Sequence, residues 1–190
     1  MDVAKKPARR LPPGSHGIPA DLVARNQRER LIAAMAEECA EGGYAEGTVS
    51  GVAKRAGVSS LTFYKQFADK RGCMLASHRQ LLGRLVEEID RVAEEEDRAA
   101  RARAALRTAL ALFAADPPSA RLLTVEVLAA GPEGVASHDA MVAAFAERLG
   151  CDWVPAAGLL ALVGKLTVAG EAERLPQLED ELVAALSSQS

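Results

Sequence analysis

Apolar residues recur along most of this chain at steps of three and four, the spacing that lines one face of an α-helix, and no stretch shows the sustained alternation of a strand. Leu22, Ile32, Met35, Ala36, Cys39 and Ala40 predict a first helix over 20–41, opened by Pro19 and closed by Gly42-Gly43. Val49, Val52, Ala53 and Ala56 mark a short second helix with Thr48 as its N-cap. It should stop at Gly57, since a sharp reversal there needs the left-handed backbone that glycine tolerates. Ser59 caps a third helix through SSLTFYKQF, with Phe63 and Phe67 inside and Ser60, Leu61, Thr62, Tyr64 and Lys65 outside. A longer stripe of Leu75, His78, Leu82, Leu85, Ile89 and Val92 predicts a helix from 69 or 71 to 95. Further helices are expected over 98–115, from Pro117-Pro118 to about 130, and over 136–149, 155–175 and 176–187.

The fold class that follows is all-α. Two short helices joined by a glycine-containing turn, with an outer face of hydroxyls, one aromatic and a lysine, describe a helix-turn-helix whose second helix enters a DNA major groove. At these residues a resemblance becomes specific. The Ala-x-x-Ala-Gly-Val-Ser core from Ala53 to Ser59, followed by Thr62-Phe63-Tyr64 and Phe67-Ala68-Asp69-Lys70, resembles the DNA-binding domain of the TetR family, the bacterial tetracycline-repressor-like regulators. The preceding Asn-Gln-Arg-x-Arg-Leu-Ile run and Gly43-Tyr44 fit the same pattern, so the likeness covers roughly residues 20–75. Gly51 departs from it, standing mid-helix where the family more often has a polar residue, at a cost of about 1 kcal/mol relative to alanine. A close approach by DNA or by a neighbouring helix would explain it; so would neutral drift.

The resemblance implies a three-helix DNA-binding domain over 19–68 and a helical ligand-binding and dimerisation domain over 69–190. Residues 1–18, with Lys5, Lys6, Arg9 and Arg10 among prolines and glycines, read as a disordered basic tail. Ser60, Leu61 and Thr62 are expected at base edges, and Thr48, Ser59, Tyr64, Lys65 and Lys70 at phosphates. Arg25, Arg28 and Arg30 read as a solvated face or as further phosphate ligands. The long helix of the family connects its two domains and moves when ligand binds. A pocket is expected among His78, Leu82, Leu85, Phe113, Leu123, Glu126, Met141 and Phe145, although the same residues would serve equally as packed core. Their aliphatic walls favour an apolar small molecule. His78 is either a satisfied core histidine or a regulatory contact. Glu126 faces solvent, pairs with a nearby arginine, or projects into the cavity to attract a lipophilic cation, as such acids do in some members of the family. The last two helices, through Leu159, Leu162, Val163, Leu166, Leu178, Leu182 and Leu186, either close the monomer core or pair with those of a second subunit, as in the family.

Charge sharpens this division. The whole chain of 190 residues has a net charge of −3, yet residues 1–80 hold 13 Lys and Arg against 8 Asp and Glu, a balance of +5, and residues 81–190 hold 10 against 18, a balance of −8. A basic reader joined to an acidic body suits double-stranded DNA, because phosphate neutralisation dominates affinity. Cys39, Cys73 and Cys151 form no metal or redox motif and read as small apolar thiols, with redox sensing as the alternative. No HExxH, GxSxG, P-loop or dinucleotide fingerprint occurs, so neither enzyme activity, cofactor nor metal is expected. No signal peptide and no 18-residue uncharged apolar run is read, which points to a cytoplasmic protein with no membrane partner. The function expected is a ligand-responsive repressor that binds a palindromic operator as a homodimer and is released by a small apolar molecule. A ligand-independent architectural DNA-binding protein is the alternative.

Overall fold

The computed structural model describes residues 19–92 and 97–187, and for 186 and 187 the backbone only. The tail expected over 1–18 lies outside the described residues, as does the Leu186 side chain. The described chain is helical, with α1 Ala20–Glu46, α2 Val49–Arg55, α3 Ser60–Gln66, α4 Lys70–Val92, α5 Arg98–Ala115, α6 Pro117–Thr124, α7 Pro132–Leu149, α8 Trp153–Val168 and α9 Glu179–Ser187. Short 3₁₀ segments at Glu126–Ala130 and Ala172–Leu178 join α6 to α7 and α8 to α9.

Two apolar clusters organise these elements. The first gathers Leu31, Met35, Val52, Ala53, Phe63 and Phe67 from α1 to α3 with Cys73 and Met74 from the start of α4. Leu122 and Ala130, from either side of the α6 break, complete it. The second holds Leu85 and Ile89 of α4 with Leu106, Leu110, Phe113, Met141, Phe145, Leu160, Val163 and Leu175. Each buried Val, Leu, Ile, Phe or Met side chain contributes about 1.5–3 kcal/mol by leaving water. Because α4 supplies both clusters, the reading head and the body share one helix. Burial also pushes the Cys39 and Cys73 thiols up to about 12, so both act as small apolar groups.

Several boundaries differ from the periodicity, three of them for an evident local reason. The first helix does not finish at Gly42-Gly43: Gly43 breaks it with φ 77° and ψ 166°, and the chain resumes helical hydrogen bonding to Glu46. The helix begun by Pro117 stops at Thr124, whose hydroxyl bonds back to Ala120 C=O at 2.8 Å, and Val125 leaves helical geometry at φ −124°. Beyond Val168 the chain turns, with Glu171 N–H bonded to Leu166 C=O at 2.8 Å, so α8 is shorter than the expected span to 175. Among the described residues no single helix is long and apolar enough to cross a membrane.

Candidate nucleic-acid interface

The helix-turn-helix is built by its caps. Thr48 Oγ1 accepts Gly51 N–H at 2.9 Å to start α2, and Ser59 Oγ accepts Thr62 N–H at 3.1 Å to start α3. Between them Gly57, at φ 62°, allows Val58 N–H to reach Ala53 C=O at 3.0 Å, which closes the end of α2. Phe63 is fully buried and meets Phe67 at 5.6 Å and Tyr64 edge-on at 5.5 Å between ring centroids. Its opposite face therefore turns to solvent. Leu61 is 68% and Tyr64 57% exposed, Ser60 and Lys65 are exposed, and Thr62 is half-buried beside them. The Ser59 and Thr62 hydroxyls bond each other at 3.0 Å, so one O–H of the two remains available to an outside acceptor. Thr48 accepts at its cap and keeps its own O–H to donate.

Residues of α1 hold this reader in place. Arg30 Nε donates to Ala56 C=O at 2.8 Å and its Nη2 to Gly57 C=O at 3.0 Å, which pins the turn. Arg28 Nη1 donates to Gln66 C=O at 3.0 Å while its guanidinium lies 4.4 Å from the Phe67 ring centre. These two arginines are therefore structural fixtures of the turn and of the end of α3. Sequence spacing carries no signal for either contact, since each spans more than 25 residues. Glu38 accepts Thr48 N–H at 3.1 Å and Arg55 Nε at 2.7 Å, and Arg55 also reaches Glu41. Burial of Glu38 would raise its pKa, but Arg55 and the Thr48 amide outweigh this and hold the carboxyl below its usual range. Glu38 also explains Gly51: a Cβ there would stand 2.0 Å from Glu38 Oε1. The approach is by a neighbouring helix.

Lys70 is not available as the sequence suggests. Its ammonium donates to the carbonyls of Tyr44 at 2.7 Å, Gly47 at 2.8 Å and Ala45 at 3.3 Å, and sits 4.4 Å from the Tyr44 ring centre. All three donors are engaged inside the chain, so Lys70 braces the segment that leads into α2 and is no free phosphate ligand in this conformation. Lys65, on the last turn of α3, remains exposed.

This arrangement matches a known family. Residues 31–76 match the bacterial regulatory proteins of the tetR family. The reading head is thus similar to the DNA-binding domain of that family. Over 74 residues it is 42% identical to the HTH-type transcriptional regulator BetI of Stenotrophomonas maltophilia, a stretch covering 39% of this chain and 38% of that protein. The chain thus aligns with well under half the length of that curated relative. Among solved structures it is similar to the transcriptional regulator FadR of Bacillus subtilis in complex with stearoyl-CoA, with a TM-score of 0.72 and 20% identity over 85% of this chain and 98% of that one. It is also similar to the fatty acid degradation regulator FadR of Bacillus halodurans, with a TM-score of 0.69 and 19% identity over 84% and 94% of the two chains. At these identities the likeness is one of fold.

Most of the remaining candidate residues are packed inside the body. Leu85, Phe113, Leu123, Met141 and Phe145 are each at most 6% exposed, and Leu82 packs against them. Phe113 and Phe145 stack at 6.0 Å. They form packed core in this conformation. His78, on α4, is buried too, with Nε2 lacking any hydrogen-bond partner. Burial, and secondarily the charge of His138, pulls His78 down to about 4, so its ring is neutral near neutral pH. Glu126 does not enter this core; it pairs with Arg121 at 2.7 Å against α1. On α8, Leu159, Val163 and Leu166 are buried within the subunit and cannot face a second one, while Leu162, Leu178 and Leu182 are half-buried against the same core. The outward stripe of α8 is instead Val154, Gly158, Ala161, Lys165 and Val168, beside a half-exposed Trp153.

Proposed function

We propose that this chain is a transcriptional repressor that binds a palindromic operator as a homodimer and is released by a small, largely apolar effector. The observation that carries the reading is the exposed face of α3, where Ser60, Leu61, Tyr64 and Lys65 stand on a helix whose other side is anchored by Phe63. Leu61 suits a thymine methyl, Ser60 and Thr62 suit base edges, and Lys65, Tyr64, Thr48 and Ser59 suit phosphate oxygens. Short side chains discriminate weakly one at a time, which makes two half-sites necessary. A dimer supplies them, with recognition helices about 34–36 Å apart for half-sites one turn apart. The outward stripe of α8 supports the dimer: Val154 is 72% and Val168 54% exposed, with Gly158 and Ala161 between them. Small residues there let a second α8 approach closely.

The effector reading draws on the apolar core between α4, α5 and α7 and on the buried His78 of α4, whose Nε2 has no hydrogen-bond partner. A ligand that opens this core meets aliphatic and aromatic walls, and one that reaches His78 gains a ring nitrogen to pair with. The stearoyl-CoA complex of the Bacillus subtilis neighbour supports a lipophilic ligand class. Such a ligand must bind the non-DNA-competent arrangement more tightly, and a coupling of about 1–3 kcal/mol yields roughly 5–150-fold induction. The test is a gel shift of the chain on the DNA upstream of its own gene, titrated with salt and then with fatty acids, their CoA esters and other apolar compounds. Specific retardation reversed by one such class is expected. No sequence preference would sink the reading, and retardation that no compound reverses would favour ligand-independent binding.

A further inference from the structure

The break at Gly43 takes two backbone groups of α1 out of register. In a continuous helix Tyr44 N–H would donate to Ala40 C=O, but Gly43 at φ 77° and ψ 166° turns the two apart. Both are met from the other half of the molecule. Tyr44 N–H donates to Glu126 Oε2 at 2.6 Å, Arg121 Nη1 donates to Ala40 C=O at 2.9 Å, and Arg121 Nε donates to Glu126 Oε1 at 2.7 Å. An ion pair of the body thus stands where one hydrogen bond of α1 is missing. Its polarity fits: the cation faces the carbonyl end of the first helical segment and the anion faces an amide at the start of the next.

The Glu126 end of the pair is enclosed, while Arg121 is partly exposed. Glu126 is 7% exposed, and its neighbours Leu122 and Ala130 are buried in the core of the reading head. Behind it, α8 presses on the break between α6 and the 3₁₀ segment, because a Cβ on Gly164 would fall 2.8 Å from Val125 Cγ2 and 3.1 Å from Thr124 Oγ1. Ahead of it, the carbonyls of Tyr44, Ala45 and Gly47 are gripped by Lys70, and the next residue is Thr48, the cap of α2. A chain of direct contacts therefore runs from α8 through Glu126 to the helix-turn-helix.

We infer that Arg121 and Glu126 are positioning residues for operator binding: they set the angle at which the reading head is held from α8, and with it the separation of the two recognition helices in the dimer. The inference rests on the reading of this chain as a dimeric operator-binding protein. Two conservative variants of the full chain test it. Glu126→Gln keeps the shape but offers one acceptor oxygen to two donors, and Arg121→Lys keeps the charge but loses the fork that reaches both Ala40 and Glu126. Each is compared with the wild type by thermal melting and by selection from a DNA library in which two half-sites are separated by a varied number of base pairs. Both variants are expected to fold and to keep the wild-type base preference within a half-site. Their discrimination between the best spacing and its one-base-pair neighbours should fall at least threefold. An unmoved spacing profile, or a loss of affinity equal at all spacings, overturns the positioning role while leaving operator binding intact. Absence of any operator selection by the wild type overturns the underlying reading and the positioning role together.

Discussion

Replacing Gly51 by alanine should destabilise the reading head, against the ordinary effect of that change inside a helix. An exposed Gly→Ala substitution in a helix normally stabilises by about 1 kcal/mol, because it restricts the unfolded chain. Here the added Cβ would stand 2.0 Å from Glu38 Oε1, so the carboxylate must retreat by roughly 1.5 Å to reach ordinary contact. That movement breaks the 3.1 Å bond to Thr48 N–H and disturbs the 2.7 Å pair with Arg55. The first is a charge-assisted bond whose loss costs about 1.5–2 kcal/mol, and the partly exposed ion pair adds about 0.2–1 kcal/mol. The net expectation is a loss of about 1 kcal/mol, or roughly 2–4 °C in Tm for a chain of this size. Thermal unfolding followed by circular dichroism at fixed protein concentration measures it. The decisive control is Gly51→Ala in a Glu38→Ala background, where the obstruction is gone and the same change should stabilise by about 1 kcal/mol. Equal stabilisation in both backgrounds would refute the argument.

Further predictions follow from the other placed residues. His78 is neutral and buried when folded, at about 4, and close to 6.5 when unfolded. The unfolded chain therefore binds the extra proton, so stability is level above pH 6.5 and falls toward pH 4, by about 3 kcal/mol in total. Replacing His78 by leucine should flatten that limb of a pH-stability curve, and an unchanged slope would exclude His78 as its source. Lys65→Ala should lower the slope of log affinity against log salt by about one per half-site, whereas Lys70→Ala should chiefly lower the melting temperature by unbracing the carbonyls of Tyr44, Ala45 and Gly47; the reverse pattern would restore Lys70 as the phosphate ligand. Ala161→Glu on the outward stripe of α8 should give a monomer by analytical ultracentrifugation, while an undisturbed dimer would move the interface elsewhere.

The reading head was legible because local chemistry decides it. Thr48, Gly57 and Ser59 are caps and a turn residue whose preferences act over four or five positions, and the structure uses each as such. The body was legible only as a set of helices. In α8 apolar residues stand on every side, so periodicity did not separate the inward Leu159, Val163 and Leu166 from the outward Val154 and Val168. The break at Thr124 was hidden in the apolar run TVEVLAA, where two valines and a threonine also satisfy a helical pattern. The fixtures of the helix-turn-helix were silent for a different reason. Arg28 and Arg30 read as a solvated face or as phosphate ligands, Lys70 read as a phosphate ligand and Glu38 carried no signal, because only the tertiary fold brings their partners within reach.

We propose that the outer face of α3 reads DNA sequence in a two-fold arrangement. Selection of binding sites from random duplex DNA by the full chain, with wild type and a Leu61 variant in parallel, tests it most directly. An inverted repeat is expected for the wild type and, for the Leu61 variant, an altered preference at one position in each half-site with the repeat retained. Enrichment of no motif, or of a motif indifferent to Leu61, would contradict it.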